Sequence, residues 1–308
     1  MHMSRKHLFL VIAALLLSGS LRADYRVFSN SNFARIDGIK LHYRIWEPER
    51  KTTKGNVLMV HGFSGSTFSW QQAADSLTRA GYFAVAVDVP PFGYSDRAPR
   101  QNQSVTARAG LLHNFLQQEF PGTAWHLAGH SMGGGIVQAM ALMYPESYES
   151  VTLVAPSLFS RIQKGRASPP AWMLIPGLTA FAGNLAESWF ITRSRIEELL
   201  TSAYGIPPDK KQIDGYLEPL LVPGTARGIL HAQRFREEIA EPDITTLSVP
   251  ALAIWGENDT WVPLQSRKHI LEKAPEITLS VINNAGHNPM ETHIGEFMSL
   301  WLHFLNNL

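Results

Sequence analysis

The sequence predicts an α/β fold, in which a doubly wound and mostly parallel sheet carries helices on both faces. Short, continuously apolar runs alternate along the chain with segments of helical period, which is typical of such folds. About ninety residues rich in aromatic and aliphatic side chains then separate two of the runs, which predicts an inserted subdomain. With 308 residues and 45% hydrophobic content, the chain is large enough to bury this core.

The N-terminus has the layout of a secretory signal. Arg5 and Lys6 precede ten apolar residues at 8–17, and small residues follow. We therefore expect residues 1–23 to be a signal peptide and the protein to be exported, periplasmic or secreted. The alternative is an uncleaved N-terminal membrane anchor, although the run is shorter than the roughly 20 residues that span a bilayer.

Charge and cysteine content exclude several classes of function. Removal of residues 1–23 leaves 24 basic against 26 acidic residues, a net charge of −2, and no long basic run remains. Nucleic acid is therefore not expected as a partner. The chain contains no cysteine, which excludes disulfides, thiolate nucleophiles and cysteine metal sites.

An antiparallel hairpin is expected over residues 33–48, because two alternating segments flank the tight-turn pair Asp37-Gly38. Continuous apolar runs then predict strands that are buried on both faces, at 56–60, 83–87, 125–129, 150–154, 250–255 and 278–282. Apolar residues at every third or fourth position predict helices at 69–80, 105–119, 134–144, 266–273 and 293–305. The order of these elements predicts a parallel sheet led by the hairpin.

The inserted subdomain follows the sixth predicted strand. We predict a mostly helical cap at 157–246, over the ends of the strands, and a core formed by 24–156 and 247–308. Most of the aromatic residues of the cap are expected to pack it onto the core, and an apolar cap would also permit transient contact with a membrane or lipid surface. The sequence carries no pattern that predicts an oligomeric state.

The motif G-x-S-x-G stands at 129–133, directly after a predicted strand and directly before a predicted helix. Ser131 would therefore lie on a sharp turn, where Gly129 and Gly133 let the strand and the helix approach each other. The start of the helix directs N–H groups and a partial positive charge at any group bound beside the serine. The Met132 N–H is thus a predicted oxyanion donor. The alternative is a glycine-rich turn with a solvent-facing serine.

A serine hydroxyl is a weak nucleophile until a histidine takes its proton and a carboxylate orients that histidine. Asp259 and His287 each stand just beyond a predicted strand, so parallel strands would bring both to the sheet edge that carries Ser131. Glu257 and Glu291 compete as the acid, but the loop position favours Asp259. The competing histidines lie on predicted helices, where surface or packing roles are more common: His269, His293 and His303.

A second oxyanion donor should come from the loop after the first core strand. In that loop, Gly62 lets the backbone approach a substrate, and the Phe63 N–H is the candidate donor. His61 is expected to brace the loop through its ring, and a plain turn is the alternative. The segment 88–96 is predicted to be a structural loop, in which Asp88 ties down backbone N–H groups.

Five segments follow one another along the chain in this order: HGFSG, DVPPFGYS, GHSMGG, WGENDTWVP and AGHNPME. Together they resemble the Ser-dependent α/β-hydrolase fold enzymes of the capped kind, a family that includes esterases, lipases and meta-cleavage-product C–C hydrolases. The resemblance covers nearly all of the mature chain. It implies the α/β-hydrolase fold and a catalytic triad of Ser131, Asp259 and His287. The sequence departs from the family at Pro91, where glycine is usual, and at Asn288, where many C–C hydrolases have tryptophan.

The predicted function is that of a serine hydrolase, which cleaves carboxylic esters of small to medium apolar acyl substrates through an acyl-enzyme. Its partner is a small-molecule ester, and no metal or organic cofactor is expected. One alternative is C–C bond hydrolysis, for which Arg193, Arg195 or Arg234 would have to hold a substrate carboxylate. The others are a perhydrolase or acyltransferase with the same triad, and a catalytically silent binding scaffold.

Overall fold

The computed structural model describes residues 27–49, 53–97, 102–158, 191–232 and 243–308. In these ranges, eight strands form one sheet in the order β1-β2-β4-β3-β5-β6-β7-β8. The strands are β1 Ser31–Ile36, β2 Ile39–Trp46, β3 Asn56–Val60, β4 Phe83–Val87, β5 Trp125–His130, β6 Tyr148–Val154, β7 Ala251–Gly256 and β8 Ile277–Ile282. Strand β2 pairs antiparallel with β1 and β4, and strands β3 to β8 are parallel. The predicted α/β class with a mostly parallel sheet is confirmed.

The helices of the described ranges alternate with the parallel strands, apart from three that stand between β6 and β7. They are α1 Gln71–Arg79, α2 Val105–Glu119, α3 Met132–Met143, α4 Arg193–Tyr204, α5 Lys210–Leu220, α6 Thr225–Ala232, α7 Lys268–Leu271, α8 Pro289–Thr292 and α9 Ile294–Asn306. The predicted helix at 266–273 is reduced to the four residues of α7, because a 3-10 turn at Leu264–Ser266 occupies its start.

Helices cover both faces of the sheet, which explains why its central strands are apolar throughout. Helices α2 and α3 bring side chains such as Phe115 and Ile136 to one apolar layer. Helices α1 and α9 bring Leu77 and Trp301 to the other. Each central strand is therefore buried on both faces, so its residues do not need to alternate between polar and apolar.

Strand β8 is the exception, and the prediction that it is buried on both faces is wrong. It is the last strand in the sheet order, and Leu279 and Val281 are 42% and 39% exposed. A strand at the edge of a sheet has a neighbour on one side only, so the layers above and below it end there. Its apolar run has the composition of an interior strand but not the position of one.

The three helices α4 to α6 contact loops that follow the strand ends. Arg97, in the loop after β4, donates a hydrogen bond to the Pro219 carbonyl of α5. A Cβ atom on Gly228 of α6 would lie 2.5 Å from the Pro91 ring, so this glycine accommodates the proline that departs from the family pattern. The cap at 157–246 stays a prediction, and its residues 159–190 and 233–242 lie outside the described ranges.

The predicted signal at residues 1–23 also lies outside the described ranges. Within the ranges that are described, no helix has the combination of length and apolar character needed to cross a bilayer.

Candidate active site

Ser131 lies on the sharp turn between β5 and α3, where its backbone has φ 50° and ψ −114°. A positive φ in a residue with a side chain costs about 1–3 kcal/mol, which the surrounding structure must compensate. The glycines of the motif are sterically required here. A Cβ atom on Gly129 would lie 2.3 Å from the Gly133 carbonyl oxygen, and one on Gly133 would lie 2.2 Å from the carbonyl oxygen of Val60.

The two predicted oxyanion donors belong to segments that meet at Ser131. Met132 is the first residue of α3, so its N–H has no partner within the helix. The loop after β3 lies against the serine, because a Cβ atom on Gly62 would be 3.2 Å from the Ser131 Cβ. Phe63 follows in that loop and is 45% exposed. The positive end of the helix and the loop after β3 therefore flank the serine.

Asp259 and His287 are brought together as a buried, hydrogen-bonded pair. His287 Nδ1 lies 2.8 Å from Asp259 Oδ2. The other carboxylate oxygen accepts hydrogen bonds from the N–H groups of Trp261 and Val262, at 2.8 and 2.9 Å. A carboxylate can only accept, so the imidazole hydrogen lies on Nδ1 and Nε2 is left as the basic nitrogen.

The competing acids and histidines have other contacts or are exposed. Glu257 is exposed and accepts a hydrogen bond from the Asn284 N–H at 3.1 Å, so it caps the loop after β8. Glu291 is buried and bonds to two tyrosines of the inserted helices. His293 bonds to the neighbouring Thr292 hydroxyl, and two other histidines are exposed: His269 and His303.

Two aromatic rings, those of Trp261 and His130, pack against the His287 imidazole, and the sequence predicts neither contact. The Trp261 indole stacks on it with ring centroids 5.5 Å apart and an interplanar angle of 25°. The His130 ring is 4.7 Å away, and its Nε2–H donates to the His287 carbonyl at 2.9 Å. Burial and the neighbouring His287 ring lower the pKa of His130 well below 6.5, so it acts as a neutral donor. The motif offered a signal only in that His130 directly precedes Ser131.

His61 has the bracing geometry that was expected of it. Its Nδ1–H donates to the Gly62 carbonyl at 2.7 Å, and its Nε2 accepts the Val89 N–H at 2.9 Å. Burial lowers the pKa of His61, which keeps this ring neutral and both bonds satisfied. The ring therefore ties the loop after β3 to the loop after β4, and neither nitrogen is left to act as a base.

A second serine, histidine and aspartate are bonded in series away from Ser131. Ser31 Oγ lies 2.8 Å from His42 Nε2, and His42 Nδ1 lies 2.7 Å from Asp88 Oδ2. Asp88 also accepts the N–H groups of Thr67 and Tyr94, which is the tying role predicted for it. All three residues of the series are buried, so it crosslinks β1, β2 and the loop after β4 without reaching solvent.

The charges at Asp88 show why this second series is structural. Burial alone would raise the pKa of Asp88, but the charge and hydrogen bond of His42 and the Tyr94 N–H outweigh it and lower the pKa below 3.8. The carboxylate is thus ionised and fully engaged. The Ser31 hydroxyl is likewise engaged, because it also accepts the Phe28 N–H at 3.1 Å.

Comparison with known proteins agrees with the fold. Residues 55–294 match the family model described as alpha/beta hydrolase fold. The chain is 29% identical over 255 residues to the uncharacterized hydrolase YugF of Bacillus subtilis, covering 82% of this chain and 89% of that protein. It is 27% identical over 304 residues to 2-hydroxy-6-oxononadienedioate/2-hydroxy-6-oxononatrienedioate hydrolase 2 of Pseudomonas putida, covering 92% and 99%. A thermophilic esterase from Thermogutta terrifontis superposes with a TM-score of 0.68 at 20% identity, covering 91% and 99%.

Proposed function

The chain belongs to the α/β-hydrolase fold family and is a hydrolase of that fold, and on this basis we propose that it cleaves carboxylic esters of small to medium apolar acyl substrates. The observation that carries the proposal is the buried pair of His287 and Asp259 at the sheet edge where Ser131 occupies its strained turn. Acyl transfer by a serine hydrolase requires a base that a carboxylate orients, next to a hydroxyl at a helix N-terminus.

In the proposed reaction, His287 Nε2 takes the Ser131 proton while the serine oxygen attacks the ester carbonyl. The Phe63 and Met132 N–H groups stabilise the oxyanion, and Asp259 stabilises the imidazolium. The imidazolium then protonates the departing alkoxide, which leaves an acyl-enzyme. Water attacks that intermediate by the same route, with His287 again as the base, and releases the acid.

The surroundings of Ser131 support an apolar acyl group. Phe92 packs edge to face on Phe63, with ring centroids 5.1 Å apart. The Met132 side chain packs against an apolar cluster that Phe92 forms with residues of α4 and α5. Trp261, which stacks on His287, is 41% exposed. Apolar contact of this kind favours a hydrocarbon chain over a charged group.

Hydrolysis of a C–C bond is the second candidate, because the Pseudomonas putida relative carries such a name and spans nearly the whole chain. That chemistry needs a cation to hold the substrate carboxylate. Arg193 and Arg195 are exposed and pair with acids of the inserted helices, Asp214 and Glu198. Arg234 lies outside the described ranges. The contacts of the two described arginines therefore favour the ester.

A series of p-nitrophenyl esters, together with a fluorophosphonate probe, tests the proposal. We expect turnover and labelling by the wild type, loss of both in Ser131→Ala, and retention of both in Ser31→Ala, the matched control from the buried serine series. Failure of the wild type to hydrolyse any ester, or equal turnover by Ser131→Ala, would refute the assignment. Turnover of an added alcohol or peroxide in preference to water would indicate an acyltransferase or perhydrolase instead.

A further inference from the structure

Three consecutive residues at the end of helix α4 are each bonded to a different part of the candidate active site. The Ser202 hydroxyl oxygen accepts the indole N–H of Trp261 at 3.0 Å. The Ala203 carbonyl accepts the backbone N–H of His287 at 2.6 Å. The Tyr204 hydroxyl donates to Glu291 Oε2 at 3.0 Å. One helical turn of the insert therefore contacts the acid loop, the histidine itself and the helix that follows it.

The contact between this turn and the histidine loop is close along its length. A Cβ atom on Gly286, the residue before His287, would lie 2.4 Å from the Ala203 carbonyl oxygen and 2.7 Å from that of Tyr204. Ala203 and Tyr204 are almost fully buried. A loop packed this tightly against a helix end moves when the helix end moves.

Glu291 fixes the helix end in place. Its second oxygen accepts the Tyr216 hydroxyl of α5 at 2.6 Å and the Asn288 side-chain amide at 2.8 Å. One buried carboxyl group thus joins α4, α5 and the residue next to His287. Hydrogen bonds that share one buried carboxyl group depend on one another, so the loss of one is felt by the whole network.

We propose that residues 202–204 are a positioning element for the catalytic acid and base, and that Glu291 and Tyr204 lock this element onto the histidine loop. The inference rests on the proposed function for the roles of Asp259 and His287. The imidazole is placed by its bond to Asp259, by the Trp261 indole, by the His130 ring and by its own backbone. Two of these four supports, the Trp261 indole and the backbone, are bonded to α4, so release of α4 loosens the alignment of the base.

The variant Tyr204→Phe tests the lock with a change of one oxygen atom. It removes the bond to Glu291 and keeps the ring in its apolar cluster. Tyr43→Phe is the matched control, because Tyr43 is a buried tyrosine that donates to Glu119 at 2.9 Å, between β2 and the end of α2. Both variants lose one hydrogen bond from tyrosine to carboxylate, but only the first loses it at the histidine loop.

Two readouts are required, one of which does not depend on activity. Hydrogen exchange by mass spectrometry reports the His287 amide, and we expect faster exchange over 286–291 in Tyr204→Phe and unchanged exchange there in Tyr43→Phe. The rate constant of fluorophosphonate labelling reports the activation of Ser131. We expect it to fall about ten-fold or more in Tyr204→Phe, since displacements near 1 Å can cost about 10²-fold. The final labelled fraction should match that of the wild type.

The outcomes separate this inference from the proposed function. Wild-type exchange over 286–291 in Tyr204→Phe would overturn the inference, and so would a variant whose labelled fraction falls while its rate constant stays unchanged, because that pattern marks misfolding alone. Faster exchange in Tyr204→Phe, with a wild type that neither labels nor cleaves esters, would support the lock and refute the ester assignment. Glu291→Gln keeps one acceptor oxygen, so we expect it to label faster than Glu291→Ala.

Discussion

Replacement of Glu291 by glutamine should make the stability of the protein depend less on pH. Burial raises the pKa of Glu291 from 4.5 to about 7, against the opposing effect of hydrogen bonds from Tyr216, Asn288 and Tyr204. Between these two pH values, the folded protein keeps a proton that the unfolded chain releases. The wild type therefore loses stability as the pH rises through 7, because deprotonation favours the unfolded chain. Glutamine has the same shape and does not ionise.

The displacement of the pKa sets the size of the effect. Each pKa unit corresponds to about 1.4 kcal/mol, so a rise from 4.5 to about 7 corresponds to about 3 kcal/mol in full. This contribution is fully present below pH 4.5 and is lost above pH 7, and most of the change falls between pH 5 and pH 8. All other titrating groups are shared by the two proteins, so they cancel when the two are compared.

Urea unfolding of the wild type and of Glu291→Gln at pH 5 and at pH 8 measures this directly. The free energy of unfolding of the variant, relative to the wild type, should rise by about 2–3 kcal/mol between the two pH values. A difference that stays constant within about 1 kcal/mol would refute the reasoning, because it would mean that Glu291 is ionised at pH 5 in the folded protein.

Three further predictions concern the turn, the acid and the buried crosslink. Gly129→Ala should lower the free energy of thermal unfolding by at least about 3 kcal/mol, because its Cβ would lie 2.3 Å from a backbone oxygen. The control Gly295→Ala, which has open space around its Cβ, should not destabilise the fold. Asp259→Asn should slow ester turnover by about 10³–10⁴-fold without unfolding the protein, because His287 loses its orienting acceptor; a wild-type rate would exclude Asp259 as the acid. Asp88→Asn should lower the free energy of unfolding in urea by about 3 kcal/mol or more at pH 7. The difference between variant and wild type should narrow only as the pH falls below 3.8, because the pKa of Asp88 is lowered in the fold. An unchanged free energy of unfolding would contradict the role of Asp88 as a crosslink.

Local chemistry explains which parts of the fold could be predicted. The pair Asp37-Gly38 adopts φ values of 50° and 80°, so the hairpin turn follows from the residues at the turn itself. Strand β8 could not be predicted in the same way, because its exposure depends on which strand stands last in the sheet. The order of the strands depends on the whole chain, and the apolar run at 277–282 does not predict that β8 lies at the edge.

The same distinction applies to the site. The glycine neighbours of Ser131 predict its role, and the places of Asp259 and His287 after strands predict theirs, which are all short-range signals. The contacts of Trp261 and Glu291 depend on a helix that is distant in the sequence, and only the assembled structure brings these residues to α4. The sequence offers Glu291 as a competing acid, and spacing rules do not predict its tyrosine partners, which lie on the distant helices α4 and α5.

The buried series of Ser31, His42 and Asp88 has a consequence for the recognition of enzymes by shape. A geometric template that asks only for hydroxyl, imidazole and carboxylate groups within bonding distance would accept this series, with separations of 2.8 and 2.7 Å. The series nevertheless lacks an open approach for a carbonyl carbon. Templates for serine hydrolases therefore gain accuracy when they also require a helix N-terminus and a solvent path at the hydroxyl.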